Sequence, residues 1–184
     1  VVKFGSLSDI GFRRQNNEDA SIVQICSDPE IWREHGHVLL VADGMGGHAA
    51  GELASKLAAD TLPQTFYKSR DKDVPSALKE AIEVTNKTIN DRGTQNKDFQ
   101  RMGTTCSSLV LGPDGATIGH VGDSRVYRIR GDRIDQLTFD HSLQWELLRE
   151  NKVSREEILL REPRHIITRS LGPEPVVKVD IEGP

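Results

Sequence analysis

Leu39-Leu40-Val41-Ala42-Asp43-Gly44-Met45-Gly46-Gly47-His48-Ala49-Ala50 is the stretch on which the fold turns. Its first half, from His37 to Ala42, is a continuous apolar run of strand length and reads as a buried strand. The period then changes. From His48 to Lys68, Ala50, Leu53, Ala54, Leu57 and Ala58 recur at helical spacing, with Pro63 expected to break or kink the helix near its end. A second helix follows directly: Val74-Pro75-Ser76 opens it, Leu78, Ile82, Thr85 and Ile89 mark one face, and Gly93 is expected to end it.

Outward from this centre the chain is strand-rich. Val1 to Phe4 and Ala20 to Cys26 precede it. A meander follows the helices, with strands over Thr104–Leu111, Ala116–Val121, Arg125–Arg130 and Arg133–Leu137, each break carrying turn residues such as Gly112-Pro113-Asp114-Gly115 and Gly131-Asp132. Two short helices are expected over Ser142–Glu150 and Ser154–Arg161, the second opened by the capping box Ser154-Arg155-Glu156-Glu157. Val176 to Glu182 alternates like a strand. Strands, two adjacent helices, then strands again predict an antiparallel α+β domain, not alternating parallel β/α units.

Composition narrows the function classes. The 184 residues carry 24 Lys plus Arg against 28 Asp plus Glu, a net charge of −4, with the basic residues scattered. That balance argues against a nucleic-acid partner, which needs a concentrated basic field. No apolar run approaches membrane-spanning length. Cys26 and Cys106 match neither a metal-ligand nor a disulfide spacing and read as buried, reduced thiols of a cytoplasmic protein.

The chemistry concentrates at strand ends. Asp43 stands at the exit of the buried strand, where the backbone is fixed and the oxygens face open space; the glycines after it let a carbonyl turn inward, completing an all-oxygen shell for a hard cation. Gly44-x-Gly46-x-x-Ala49 with Asp60 also matches a dinucleotide-binding pattern. Against it, Asp43 would repel a pyrophosphate, and a second helix stands where the parallel strand should be. Arg13-Arg14-Gln15-Asn16-Asn17-Glu18-Asp19 and Gly122-Asp123-Ser124-Arg125 taken singly read as a charged turn and a hairpin turn. Arg101-Met102-Gly103-Thr104-Thr105-Cys106 suggests close packing beside a crowded site. In combination, Asp19, Asp43 and Asp123 all sit next to strand ends, as a carboxylate metal site at the end of a sheet requires.

Arg14-x-x-Asn17-Glu18-Asp19, Val41-Ala42-Asp43-Gly44-Met45-Gly46-Gly47-His48, Met102-Gly103-Thr104-Thr105, Val121-Gly122-Asp123-Ser124-Arg125 and Thr168-Arg169-Ser170-Leu171-Gly172 occur in an order that resembles the metal-dependent protein phosphatases of the protein phosphatase 2C family, bacterial branch. The resemblance implies a four-layer αββα sandwich: two antiparallel sheets flanked by helix pairs. It implies hydrolysis of phosphoserine and phosphothreonine on proteins by a water shared between two Mn²⁺ or Mg²⁺ ions. Asp43 would bridge the ions, the Gly44 carbonyl would bind one, Glu18 and Asp19 would hold their waters, and Asp123 would serve a third ion. Arg14 would clamp the substrate phosphate. The implied partners are phosphoproteins, expected to be substrates of a Ser/Thr kinase, met by a monomer with neither nucleic acid nor membrane.

Two departures accompany the resemblance. Met45 stands where some relatives place a histidine proposed as general acid, and His48 reads as a helix-start residue; His120, His141 and His165 read as structural or exposed. The family's two further metal aspartates have no counterpart in the sequence, and Asp180 lacks their context. Residues 1–184 are therefore expected to form one phosphatase-like domain lacking its C-terminal part, with a catalytically inactive regulatory module as the alternative. Leu137 to Pro163 is expected to lie beside the site as a flap.

Overall fold

The computed structural model describes residues 2–47, 49–69, 71–150, 152–154, 156–157 and 166–184. Its centre is the strand expected from the apolar run, now His37–Met45 (β2), which is paired on both sides. On one side lies β1 (Asp19–Gln24); on the other lie β4 (Cys106–Gly112) and then β5 (Gly115–Val121) and β8 (Asp180–Glu182). The two-residue strand β3 (Gly103–Thr104) continues the sheet along the end of β2. All of these pairs are antiparallel, which removes the dinucleotide-binding alternative. A separate hairpin pairs β6 (Tyr127–Arg130) with β7 (Arg133–Gln136). Two antiparallel sheets with a helix pair form the expected α+β arrangement; a second helix pair is not formed among the described residues.

That helix pair is α2 (Ala49–Lys68) and α3 (Val74–Gln95). Asp73 caps α3 by accepting from Ser76 N at 2.8 Å, with Pro75 in the first turn. Alternation along β2 turns Val38, Leu40 and Ala42 toward the helices. There they meet Ala54, Ala58, Leu62 and Phe66 of α2 and Leu78, Ile82 and Ile89 of α3, all fully or almost fully buried. Each large side chain in this layer contributes about 1.5–3 kcal/mol by leaving water. The layer holds β2, and with it Asp43, in place.

Several expectations are corrected. Pro63 does not end α2: it is buried inside the helix, whose packing between sheet and α3 outweighs one missing backbone bond. Gly93 does not end α3. The helix runs two residues further, and a Cβ at 93 would lie 3.0 Å from Phe99 O, so the glycine serves close packing. Residues 2–18 form no strand, since no described strand pairs with them, and Phe4, Leu7 and Phe12 are exposed. Strand β8 is shorter than expected, beginning at Asp180. A helix absent from the sequence reading, α1 (Pro29–His35), has clear local signals: Asp28 accepts from Glu30 N and Ile31 N, and Gly36 closes the end at φ 77°. Cys106 is buried as expected, while Cys26 is only partly buried.

Helix α4 (Leu143–Arg149) matches the first of the two expected short helices. Most of the second lies outside the described residues, but its capping box forms: Glu157 N donates to Ser154 Oγ at 3.2 Å and Ser154 N to Glu157 Oε2 at 2.7 Å. His48, His165 and part of the expected flap also lie outside the described residues.

Candidate metal centre

Antiparallel register brings the first two acids together. Asp19 at the start of β1 stands directly opposite Asp43 near the end of β2. The backbone of Asp43 is fixed from below by the threonine pair that the sequence marks as a packing motif. Asp43 N donates to Thr105 Oγ1 at 2.9 Å, while Thr105 N and Thr104 Oγ1 donate to Asp43 O at 2.9 and 3.1 Å. Both threonines are fully buried. Thr105 Oγ1 is also hydrogen-bonded to Ser124 Oγ at 2.7 Å. One hydroxyl thus joins the strand carrying Asp43 to the turn carrying Asp123.

Gly44 follows with no room for a side chain: a Cβ there would run into the Gly51 carbonyl and lie 2.6 Å from Glu18 O. Gly44 N donates to Glu18 O at 3.0 Å, tying the two motifs through the main chain. The Glu18 carboxylate folds inward over the first turn of α2, near Gly51, with its side chain 9% exposed. Arg14 Nη1 stands 3.7 Å from Glu18 Oε2 and is itself exposed. Arg13, Arg14, Gln15, Asn16, Glu18 and Gly47 line a cleft of about 240 Å³ beside the acids.

The electrostatics identify Asp43 as the focus. Asp43 as a residue is exposed, yet its carboxyl is pushed from 3.8 up to about 6, first by partial desolvation against the protein and then by the negative charges of Asp19 and Asp123, with Arg14 partly opposing. Asp123 is the third acid of this field and its side chain makes no hydrogen bond among the described residues. Three carboxylates, two of them repelling Asp43, form an all-oxygen donor set suited to a hard divalent cation, which would relieve that repulsion. The set is open. Among the described residues no three His, Cys, Asp or Glu side chains are gathered closely enough to enclose an ion, so water would supply much of any coordination shell.

The sequence-derived residues thus divide. Asp19 and Asp123 act electrostatically on Asp43, Gly44 follows Asp43 and is tied to Glu18, and Glu18 and Arg14 line the cleft. The supporting residues are a different set. Thr105, Ser124 and the buried pair His120 and His141 hold the frame, and Asp180 reaches it from β8. His120 and His141, which the sequence reads as structural or exposed, are both buried and hydrogen-bonded. Their partners lie 13 to 39 positions away, so no local signal could reveal them.

Residues 14–156 match the family profile described as Protein phosphatase 2C. The chain is 35% identical over 177 residues to the Serine/threonine phosphatase stp of Listeria innocua, covering 94% of this chain and 68% of that one. It is 33% identical over 183 residues to Protein phosphatase PhpP of Streptococcus pneumoniae, covering 97% and 71%. Serine/threonine phosphatase Stp1 from Staphylococcus aureus superposes with a TM-score of 0.82 at 31% identity, covering 96% of this chain and 68% of that one. The catalytic domain of the phosphatase PstP, solved in complex with two manganese ions, superposes with a TM-score of 0.74 at 30% identity, covering 96% and 70%.

Proposed function

The chain belongs to the protein phosphatase 2C family and is a serine/threonine protein phosphatase, and we propose that it works through Mn²⁺ or Mg²⁺ held by Asp43, Asp19 and Asp123. The observation that carries this reading is the raised Asp43 carboxyl, faced by Asp19 directly across the β1–β2 pair and by Asp123 in the turn after β5. The Gly44 carbonyl and Glu18 complete the proposed set, directly and through water. When bound, the ions supply Lewis acidity that polarises a phosphoryl group and lowers the pKa of water to near neutrality.

The chain's own residues do the rest. Arg14, exposed at the cleft rim and only loosely paired with Glu18, is free to swing its planar fork onto phosphate oxygens and to offset charge developing in the transition state. The buried Thr104–Thr105 pair fixes the Asp43 backbone, so the acid presents its oxygens without reorganising. No cysteine is needed as nucleophile: Cys106 is buried, and burial pushes its thiol up to about 12. The substrates are phosphoproteins, and a Ser/Thr kinase is the proposed source of their phosphate. A cytoplasmic setting belongs to the same reading, supported by two unpaired cysteines; no helix among the described residues is long and apolar enough to cross a membrane.

The test is phosphate release from a phosphothreonine peptide. Activity should require added Mn²⁺ or Mg²⁺ and vanish in EDTA. Turnover that persists in EDTA would refute the mechanism.

A further inference from the structure

The Gly122-Asp123-Ser124-Arg125 turn is hydrogen-bonded on both sides of Asp123, whose carboxylate makes no such bond among the described residues. Gly122 exchanges both main-chain polar groups with one residue: its N–H donates to His141 Nδ1 at 2.9 Å and its carbonyl accepts from His141 N at 2.8 Å. The Ser124 carbonyl accepts from Ser107 Oγ at 3.0 Å, and Ser124 Oγ is hydrogen-bonded to Thr105 Oγ1 at 2.7 Å. Arg125 makes a forked pair with the buried Asp140, Nε and Nη2 reaching both carboxylate oxygens. Gly122 itself sits at φ 113°, where a Cβ would lie 2.7 Å from Thr105, so the turn cannot be held by a side chain of its own at that position.

The side-chain bond from His141 has a chemical condition. For Nδ1 to accept from Gly122, the single proton of the neutral ring must lie on Nε2. Asp180 Oδ2 is 2.9 Å from Nε2 and accepts that proton, while its Oδ1 accepts from Arg169 Nη1 at 2.8 Å. Arg169 Nη1 also lies 3.0 Å from Nε2, but with the proton on Nε2 both atoms are donors and do not bond to each other, so the guanidinium directs its hydrogens to Asp180 and to the main chain. Arg169 Nη1 is anchored further by the Lys178 carbonyl at 3.2 Å. An acid on one ring nitrogen therefore selects the tautomer that lets the other nitrogen hold the turn. His141 is 2% exposed and its ring centroid lies 4.8 Å from that of His120, tilted at 36°, which leaves it no alternative orientation in solvent.

We propose that His141, set by Asp180 and Arg169, is a positioning residue that clamps the Gly122 amide and thereby aims Asp123 at Asp43. The aiming of Asp123 rests on the metal-site reading above, whereas the clamp stands on geometry alone. It gives two otherwise unused sequence features, Asp140-His141 and Thr168-Arg169, a shared task at the site, and makes β8 a structural partner of the Asp123 turn.

The clamp is tested first in the metal-free protein, by amide hydrogen exchange of Gly122 followed by two-dimensional NMR. His141→Leu should accelerate that exchange by about tenfold, the scale of one lost buried hydrogen bond. His141→Asn, whose side-chain oxygen can reach the position of Nδ1, should restore it to within about threefold of wild type, a rescue that loss of ring packing would not give. Asp180→Leu should also accelerate exchange, although it leaves the ring in place. Unchanged Gly122 exchange in both His141→Leu and Asp180→Leu overturns the proposal, as does equal acceleration in His141→Asn and His141→Leu. Should His141→Leu fail to fold, the Asp180→Leu and His141→Asn arms decide. The aim of Asp123 is read separately by Mn²⁺ titration: the weakest binding step should shift about tenfold in Asp180→Leu. Lack of Mn²⁺ binding by wild type would count against the metal site, and the exchange result would still decide the clamp.

Discussion

Replacing Asp43 with asparagine should stabilise the metal-free protein while abolishing turnover. Asp43 is ionised at neutral pH against burial and two neighbouring acids, which hold its carboxyl at about 6 where 3.8 is ordinary. That separation corresponds to roughly 3 kcal/mol. The residue keeps contact with water, so screening reduces the destabilisation to about 1–1.5 kcal/mol. For a chain of 184 residues this amounts to about 2–6 °C in Tm. The sign follows from the raised value. Stability is greatest below the unfolded pKa, where Asp43 is protonated in both states, and is lost as pH rises through the folded value near 6. Asp43→Asn removes this loss, so its gain over wild type should be full at pH 7.5 and should shrink to less than about a third at pH 4. Scanning calorimetry in EDTA at both pH values measures it, and a phosphopeptide assay with Mn²⁺ follows turnover. A variant no more stable than wild type at pH 7.5, or equally favoured at both pH values, would show that the three acids do not repel one another as described. Retained turnover would refute the central role given to Asp43.

Arg14→Lys keeps the charge but loses the fork, so kcat/KM on a phosphothreonine peptide should fall by about 10²-fold with little change in Tm; an effect under threefold would remove Arg14 from phosphate binding. Gly44→Ala forces a Cβ into the Gly51 and Glu18 carbonyls, backbone atoms that cannot rotate away, and should destabilise by about 3 kcal/mol in urea unfolding. A wild-type midpoint would mean that α2 is free to move off β2. Phe66→Ala empties a fully buried site between α2 and the sheet and should lower Tm by about 6–20 °C, without changing KM if the refolded site is intact.

The apolar run of β2, the helical spacing of α2 and α3 and the turns between β4, β5, β6 and β7 were legible because each depends on residues a few positions apart. So was the placement of Asp19, Asp43 and Asp123 beside strand ends. The misread elements are those in which a distant contact overrides local preference: Pro63 and Gly93 sit inside helices because packing against the sheet and residues 99–102 decides their fate. Residues 2–4 have strand-forming side chains but no strand to pair with, since a strand's hydrogen bonds lie outside itself.

By itself, then, the sequence determined which acids this protein offers and where along the strands they stand. Tertiary structure alone decided what they face. The Asp19–Asp43 register, the Thr105 link across 62 positions from Asp43 and on to Ser124, and the Asp180–His141–Gly122 relay each join segments far apart in the chain. The mutual repulsion that raises Asp43 has the same origin, because charge interacts through space and not along the sequence.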